Sequence, residues 1–170
     1  DQAELRGTVD GKEAFVKLLG ISDAEILSIF LKARSKDELL YFRPHGLDSK
    51  SLQRTLESRC VLTYGVFINN ELAAYAILKV SPTGSAFIGL VTGSEWRGRG
   101  LGKFIVQFLY WQARVARLRP CATISRDNQA SMRVHQAVAK LVIRKELGKN
   151  YVLVDLVGSE PGTPELVVQA

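Results

Sequence analysis

The chain has 170 residues, of which 46% are hydrophobic and 24% charged, and its formal net charge is +6 at pH 7. This composition is typical of one globular domain with a buried core, and no segment approaches the ~20 apolar residues of a membrane-spanning helix. The cations are spread without a long run of like charges, and the two cysteines form no CxxC motif, so neither a nucleic-acid-binding tail nor a zinc site is indicated.

The start of the chain, DQAELRGTVDGKEAF, shows no secretory signal, and Cys60 and Cys121 follow no disulfide or metal pattern. We therefore expect a cytoplasmic protein without a bound metal. Residues 1–13 are polar, and we expect them to form a flexible N-terminal segment. The polar, Pro-containing residues 158–170 are expected to form a tail or linker.

The first half of the domain predicts a strand, two helices and an antiparallel meander. VKLLGI (16–21) reads as the first strand. Helices are predicted over 23–34 and 48–58, the second capped by Asp48 or Ser49, with the broken loop YFRPHGLD between them. The runs LTYGVFI, LAAYAILKV and SAFIGLVTG then predict three strands joined by the turns NNE and SPTG.

The second half predicts two further helices and three strands. LGKFIVQFLYWQARVARL has the 3/4 apolar spacing of an amphipathic helix, which Pro120 should end. CATISR is predicted as a strand, DNQASMRVHQAVAKL as a helix, and LVIRKEL with NYVLVDL as a closing hairpin. The result is a mixed α/β (α+β) domain over 14–157, with about seven strands and four helices.

The stretch WRGRGLGKF (96–104) crowds glycines and cations between a predicted strand and a predicted helix. The first amides of a helix have no partner within it and lie at the positive end of its dipole. Glycines let the backbone approach a ligand oxygen closely. The pattern therefore predicts a site for a phosphate or a diphosphate.

Two common phosphate loops fit this stretch poorly. The Walker A pattern requires Gly-Lys-Ser/Thr, whereas Gly102-Lys103 precedes Phe104. The dinucleotide fingerprint has GxGxxG spacing early in a βαβ unit, whereas this loop has GxGxG spacing, lies past mid-chain and follows antiparallel strands.

The same stretch resembles the central signature of the GCN5-related N-acetyltransferase (GNAT) superfamily, Arg/Gln-x-x-Gly-x-Gly/Ala at the start of a helix. Arg97-Gly98-Arg99-Gly100-Leu101-Gly102 matches it. A second signature, Asn-x-x-Ala/Ser on a helix after a strand, is matched by Asn128-Gln129-Ala130-Ser131. The predicted element order resembles that of the superfamily over roughly 14–157.

The resemblance implies that acetyl-coenzyme A (acetyl-CoA) binds in a V-shaped opening between the fourth and fifth strands. Backbone amides of residues 99–103 would bind its diphosphate, and residues 90–92 would pair with its pantetheine arm. The residues so implied in cofactor binding are Leu90, Val91, Thr92, Arg97, Gly98, Arg99, Gly100, Leu101, Gly102, Lys103, Asn128 and Ser131.

Candidates for the chemistry follow from the same resemblance. Ser131 and His135 share a helix face with Asn128, and His135 stands where many members have the tyrosine that protonates the leaving thiolate. The strand 85–93 lacks the glutamate that many members place there. Glu95 is the acidic residue near the loop and the remaining catalytic candidate.

Tyr41, Arg43 and His45 lie in the loop that lines the acceptor pocket in relatives, and they are the substrate-binding candidates. Other departures are Ser94 in place of a common proline, and Ala139-Lys140 in place of Gly-Phe.

The function expected is transfer of an acetyl group from acetyl-CoA to a primary amine, by direct attack of the amine on the thioester. The acceptor is a small molecule or a peptide, and a longer acyl donor and a homodimer stay open. The alternative is a non-catalytic or regulatory acyl-CoA-binding module of a larger protein. Nucleic-acid binding would rest on net charge alone, and no membrane association is expected.

Overall fold

A computed structural model describes residues 3–170, which form nine β-strands and four α-helices. The elements are β1 Ala3–Val9, β2 Lys12–Leu18, α1 Ala24–Lys32, α2 Ser49–Glu57, β3 Val61–Ile68, β4 Glu71–Val80, β5 Ser85–Thr92, α3 Leu101–Val115, β6 Arg119–Ser125, α4 Gln129–Gln136, β7 Lys140–Glu146, β8 Tyr151–Val157 and β9 Val167–Val168. The strands form one mixed sheet in the order β7-β8-β6-β5-β4-β3-β2-β1-β9. No helix in residues 3–170 combines the length and apolar character that crossing a bilayer requires.

The sheet buries both of its faces because its central strands are apolar on both sides. On β4, Ala76 and Leu78 point into a core that includes the apolar side of α3. Tyr75 and Ile77 point to the opposite face, into a second core shared with α1 and α2. This alternation, which follows from the period of two in a strand, gives a sheet sandwiched between helices.

The sheet splits between β5 and β6, which correspond to the fourth and fifth strands predicted from the sequence. The two strands run parallel, but they pair only over Ser85–Phe87 of β5. Further along, β6 continues to pair with β8 alone, and β5 with β4 alone. The backbone edge of residues 88–92 is thereby left facing an opening at the carboxyl end of β5, where α3 begins. The V-shaped split and the mixed fold are confirmed, with nine strands in place of about seven.

The extra strands correct the predictions for both ends of the chain. Residues 3–13 belong to a hairpin and not to a flexible segment, since β1 pairs antiparallel with β2. Residues 1–2 lie outside the described residues. The predicted tail also joins the sheet, because β9 pairs parallel with β1.

Two predicted boundaries move for local reasons. The first predicted strand, 16–21, is shifted to Lys12–Leu18, because the carboxylate of Asp23 accepts a hydrogen bond from the Gly20 amide and a short 3₁₀ turn begins at Ile21. Pro120 does not end α3. It lies within β6, and the helix ends at Val115, before Arg117 with its positive φ.

Candidate active site

The N-terminal end of α3 has no side-chain cap. Gly98 and Gly100 have φ angles of +71° and +89°, which only glycine adopts without strain. Gly100 is the N-cap, and no side chain caps this end, whereas α4 is capped by the Asn128 side chain. The first backbone bond of α3 runs from the Phe104 amide to the Gly100 carbonyl, 3.2 Å. The amides of Leu101, Gly102 and Lys103 are therefore available to a ligand.

The open end of α3 faces the split in the sheet. A Cβ atom placed on Gly102 would lie 3.8 Å from the Val134 side chain of α4 and 3.9 Å from the Leu90 side chain of β5. Three parts of the chain therefore meet here: the signature loop (residues 97–102), the unpaired half of β5 and α4. Val91 points to the other face, into the core below α1 and α2, and Thr92 is half-buried at the end of the strand.

The three cations of the loop play different parts. Arg97 donates from Nε to the Thr92 carbonyl, 3.3 Å. Arg99 donates from Nε to the Glu95 carbonyl, 3.1 Å, and from Nη1 to a carboxylate oxygen of Asp10, 2.6 Å. Lys103 is exposed and forms no ion pair with any residue in 3–170. The arginines therefore hold the loop in shape, and Lys103 is the cation left to face a ligand.

The carboxylate that pairs with Arg99 was not predicted from the sequence. Asp10 lies in the turn between β1 and β2, and its second carboxylate oxygen accepts a hydrogen bond from the Ala170 amide, 2.8 Å. The Ala170 bond, followed by the bond from Arg99, holds the pKa of Asp10 below its usual range. The guanidinium also lies over the Trp96 ring, 5.4 Å from its centroid. The β1–β2 turn, itself bonded to residue 170, therefore braces the signature loop.

The C-terminal segment is packed into the core beside this loop. Leu166 is 1% exposed and Val168 6% exposed. The Leu166 carbonyl accepts a hydrogen bond from the Thr8 amide, 2.8 Å. A Cβ atom on Gly7 would lie 1.8 Å from that carbonyl oxygen, so only glycine lets the two segments approach this closely. The apolar pattern LVV at 166–168 is the sequence signal for this packing.

Asn128, Ser131 and His135 lie along α4, but only His135 is buried. The Asn128 side chain accepts from the Ser131 amide, 3.1 Å, and so caps α4. The His135 ring is 3% exposed, and Nδ1 lies 2.7 Å from the Ser131 carbonyl and 3.3 Å from the Ser131 hydroxyl. Because a carbonyl only accepts, Nδ1 carries the proton. Nε2 is buried and has no hydrogen-bond partner in the described part of the chain.

Burial lowers the pKa of His135, and the bond to the Ser131 carbonyl opposes that shift. The ring is therefore a neutral group whose one N–H is already used. Because Nδ1–H is used at Ser131, the His135 ring has no N–H left to donate to a ligand. Its contacts instead hold Ser131 in position.

Glu95 lies beyond the open end of β5, in a short 3₁₀ turn. Its carboxylate is 3.7 Å from Nη1 of Arg34, and its side chain is 57% exposed. Arg34 is also bonded to Glu38, 3.1 Å. Glu95 and Glu38 thus share Arg34 as an ion-pair partner beyond the end of β5.

The loop between α1 and α2 holds the acceptor-side candidates. Nδ1 of His45 donates to the Gly46 carbonyl, and Nε2 is 2.8 Å from the hydroxyl of buried Tyr75. Burial lowers the pKa of His45 and raises that of Tyr75. His45 is therefore neutral near pH 7, with Nε2 accepting from Tyr75. Phe42 packs edge-on against both rings.

A small cavity of about 190 Å³ opens beside His45, between α2 and the sheet. Its lining residues are Pro44, His45, Arg54, Thr55, Ser58, Val61, Ile77 and Lys79. Tyr41 and Arg43 are exposed and lie outside this lining. The side chain of Ile77 covers Gly89 of β5, 2.8 Å from where a Cβ atom would stand. The cavity therefore lies near the point where β5 and β6 part.

Comparison with known protein families decides the classification. The family model described as Acetyltransferase (GNAT) family matches residues 25–139, more than half of the chain. The chain belongs to this family. The matched segment contains the signature loop, the split strands and α4, so both sequence signatures fall within the region that defines a GNAT acetyltransferase.

Solved GNAT structures share the fold at low sequence identity. The GNAT domain of S. lividans PAT has a TM-score of 0.75 and 19% identity, covering 89% of this chain and 97% of that one. The ribosomal-protein-S5-alanine acetyltransferase from Vibrio fischeri has a TM-score of 0.70 and 17% identity, with 91% and 97% covered. No curated protein sequence matches this GNAT chain.

A third neighbour was solved with ligands. Aminoglycoside acetyltransferase AAC(6')-Ib, in complex with coenzyme A and kanamycin, has a TM-score of 0.66 and 15% identity, with 85% of this chain and 94% of that chain covered. At such identities the likeness shows that the GNAT fold is shared.

Proposed function

We propose that this GNAT protein is an N-acetyltransferase that uses acetyl-CoA as donor and a primary amine as acceptor. The observation that carries the proposal is the uncapped start of α3, which faces the unpaired edge of β5. The proposal includes a cytoplasmic location, with which free Cys60 and Cys121 agree.

The residues fit two parts of an acetyl-CoA molecule, the diphosphate and the pantetheine arm. The amides of Leu101, Gly102 and Lys103 would bind the diphosphate, assisted by the Lys103 ammonium. The free backbone edge of residues 88–92 would pair with the pantetheine arm as an added strand. Acetyl-CoA, when bound, supplies an activated thioester to the acceptor amine.

Proton transfer is assigned to two places. Ser131 is the proposed hydrogen-bond donor toward the leaving sulfur, and His135 positions it through the contact at Nδ1. On the acceptor side, His45 is the one residue of the cavity lining that is able to take up a proton near neutral pH. We propose that Nε2 exchanges its bond with Tyr75 for a bond with the incoming amine. Glu95 is assigned to bracing the diphosphate end.

A matched pair of variants at Gly100 tests the proposal. Gly100→Ala and Gly100→Glu both place a side chain at φ +89° and share that strain, but only the glutamate adds negative charge where the diphosphate should bind. In calorimetric titration with CoA, the glutamate variant should lose far more affinity than the alanine variant, with circular dichroism unchanged. Equal affinities in the two variants would contradict the assignment of the loop.

The second candidate function is an acyl-CoA-binding module without turnover. It is favoured by the lack of a carboxylate on β5 and by the burial of His135. Release of free thiol from acetyl-CoA in the presence of amines separates the two functions. Tight CoA binding without thiol release across a broad amine panel would favour the module.

A further inference from the structure

The cavity beside His45 is cationic on one side and lacks any acidic lining residue. Arg54 on α2 and Lys79 on β4 both line it. Within residues 3–170, neither side chain forms an ion pair or a hydrogen bond. Elsewhere in the molecule, Arg34, Arg99, Arg126 and Arg144 are each paired with a carboxylate. The cavity therefore contains two cations whose charge is not neutralised by the chain.

Both cations line the same cavity as His45, so a ligand held there lies beside Lys79, Arg54 and the imidazole. Burial lowers the pKa of His45, the bond to the Gly46 carbonyl opposes that shift, and the charge of Lys79 adds a smaller lowering. Of the lining hydroxyls, Thr55 donates its proton to the Ser51 carbonyl, 2.8 Å, whereas Ser58 accepts from the Cys60 amide, 3.2 Å, and keeps its own O–H as a donor.

The position of the cavity links it to the transfer reaction. Ile77 forms part of its wall and covers Gly89, in the unpaired part of β5. Lys79 lies opposite Phe87, the last residue of β5 that pairs with β6. An acceptor whose amine reaches the narrow end of the split would therefore place the rest of the molecule beside Lys79 and Arg54.

The geometry points to an acceptor amine that also carries an anionic group, a carboxylate or a phosphate, bound by Lys79 and Arg54. This inference rests on the proposed acetyltransferase function and names its acceptor class. Cations attract anionic ligands and repel cationic ones, so polyamines and other polycationic amines are disfavoured. The cavity is also smaller than the about 300–1,000 Å³ typical of pockets for drug-sized ligands, which indicates a small acceptor.

A series of amines that share one 2-aminoethyl group tests the inference. β-Alanine carries a carboxylate, 2-aminoethyl phosphate a phosphate, ethanolamine a neutral hydroxyl, and ethylenediamine a second amine. Thiol release from acetyl-CoA is measured with each of these amines. It is also measured with each standard L-amino acid and with its carboxamide, which lacks the carboxylate charge. We expect kcat/KM at least about tenfold higher for the anionic member of a pair than for its neutral counterpart. The carboxylate and phosphate arms identify which anion is preferred.

Substitutions of the two cavity cations test whether a preference for anionic acceptors arises from this cavity. Lys79→Met and Arg54→Gln should raise KM for the anionic acceptor about tenfold or more and leave KM for acetyl-CoA unchanged. Lys145→Met, on the exposed edge strand β7, is the matched control and should change neither. Because all three residues are exposed, folding should be retained, and circular dichroism checks it.

Failure of this inference differs from failure of the proposed function. If the chain binds no CoA in a direct titration, the proposed function itself is wrong. If CoA binds but neutral or cationic amines react as well as anionic ones, or no anionic amine reacts, the acceptor class is overturned. An anion preference that survives in Lys79→Met and Arg54→Gln overturns the assignment to this cavity.

Discussion

Truncation of Leu166 to alanine should destabilise the protein as much as a substitution in the central core. Leu166 is 1% exposed and belongs to the core cluster on the α3 side of the sheet. Burial of that kind makes a Leu→Ala substitution cost about 2–5 kcal/mol. For a chain of this size, that loss lowers Tm by roughly 5–20 °C. The reason is that residues 163–170 belong to the folded domain and do not form a linker.

The adjacent Val167 supplies the control, because it is 61% exposed. Urea unfolding followed by circular dichroism should show a much smaller loss for Val167→Ala than for Leu166→Ala. Gly7→Ala should also destabilise, since its Cβ would lie 1.8 Å from the Leu166 carbonyl oxygen. If Leu166→Ala is no more destabilising than Val167→Ala, the packing of this segment against the sheet is wrong.

Three other predictions concern the site and its support. Asp10→Asn should raise KM for acetyl-CoA with kcat retained, because Asp10 holds Arg99 in the signature loop; steady-state kinetics checks this. Burial lowers the folded-state pKa of His45 and His135, so the unfolded chain takes up these protons first, and stability should fall as pH drops below about 6.5. Urea unfolding at pH 7 and pH 5.5 should show a smaller fall in the free energy of unfolding for the double variant His45→Gln/His135→Gln than for the wild type. Asn128→Ala should cost about 0.5–2 kcal/mol through loss of the α4 cap, whereas Asn128→Asp should keep it.

Each has an outcome that would contradict it. An unchanged KM for Asp10→Asn would mean that the hairpin turn does not support CoA binding. An identical pH dependence in the wild type and the double histidine variant would mean that neither ring is buried as described. Full stability of Asn128→Ala would remove its capping role.

The elements that the sequence predicted well depend on local patterns. The 3/4 spacing of α3 and the side-chain cap of α2 involve residues within four positions of one another, so one segment contains the whole signal. The glycine signature is equally local, and the structure places Gly98 and Gly100 in the left-handed region that the sequence required. The split between β5 and β6 followed from the family resemblance.

What was missed depends on contacts between distant parts of the chain. The Arg99–Asp10 bond joins residues that are 89 positions apart, and nothing near Arg99 indicates its partner. One local signal was available for the hairpin: Asp10-Gly11 is a preferred pair for a tight hairpin turn, and both residues have positive φ. The burial of His135 was not predictable, because α4 has few apolar residues and its packing against α3 and β7 decides which face is covered.

The most direct measurement is a crystal structure of the protein grown or soaked with CoA. We expect the diphosphate within hydrogen-bond distance of the backbone nitrogens of Leu101–Lys103, and the pantetheine arm along residues 88–92 of β5. CoA bound at any other surface, or crystals that stay free of it at saturating concentration, would show that the proposed site is wrong.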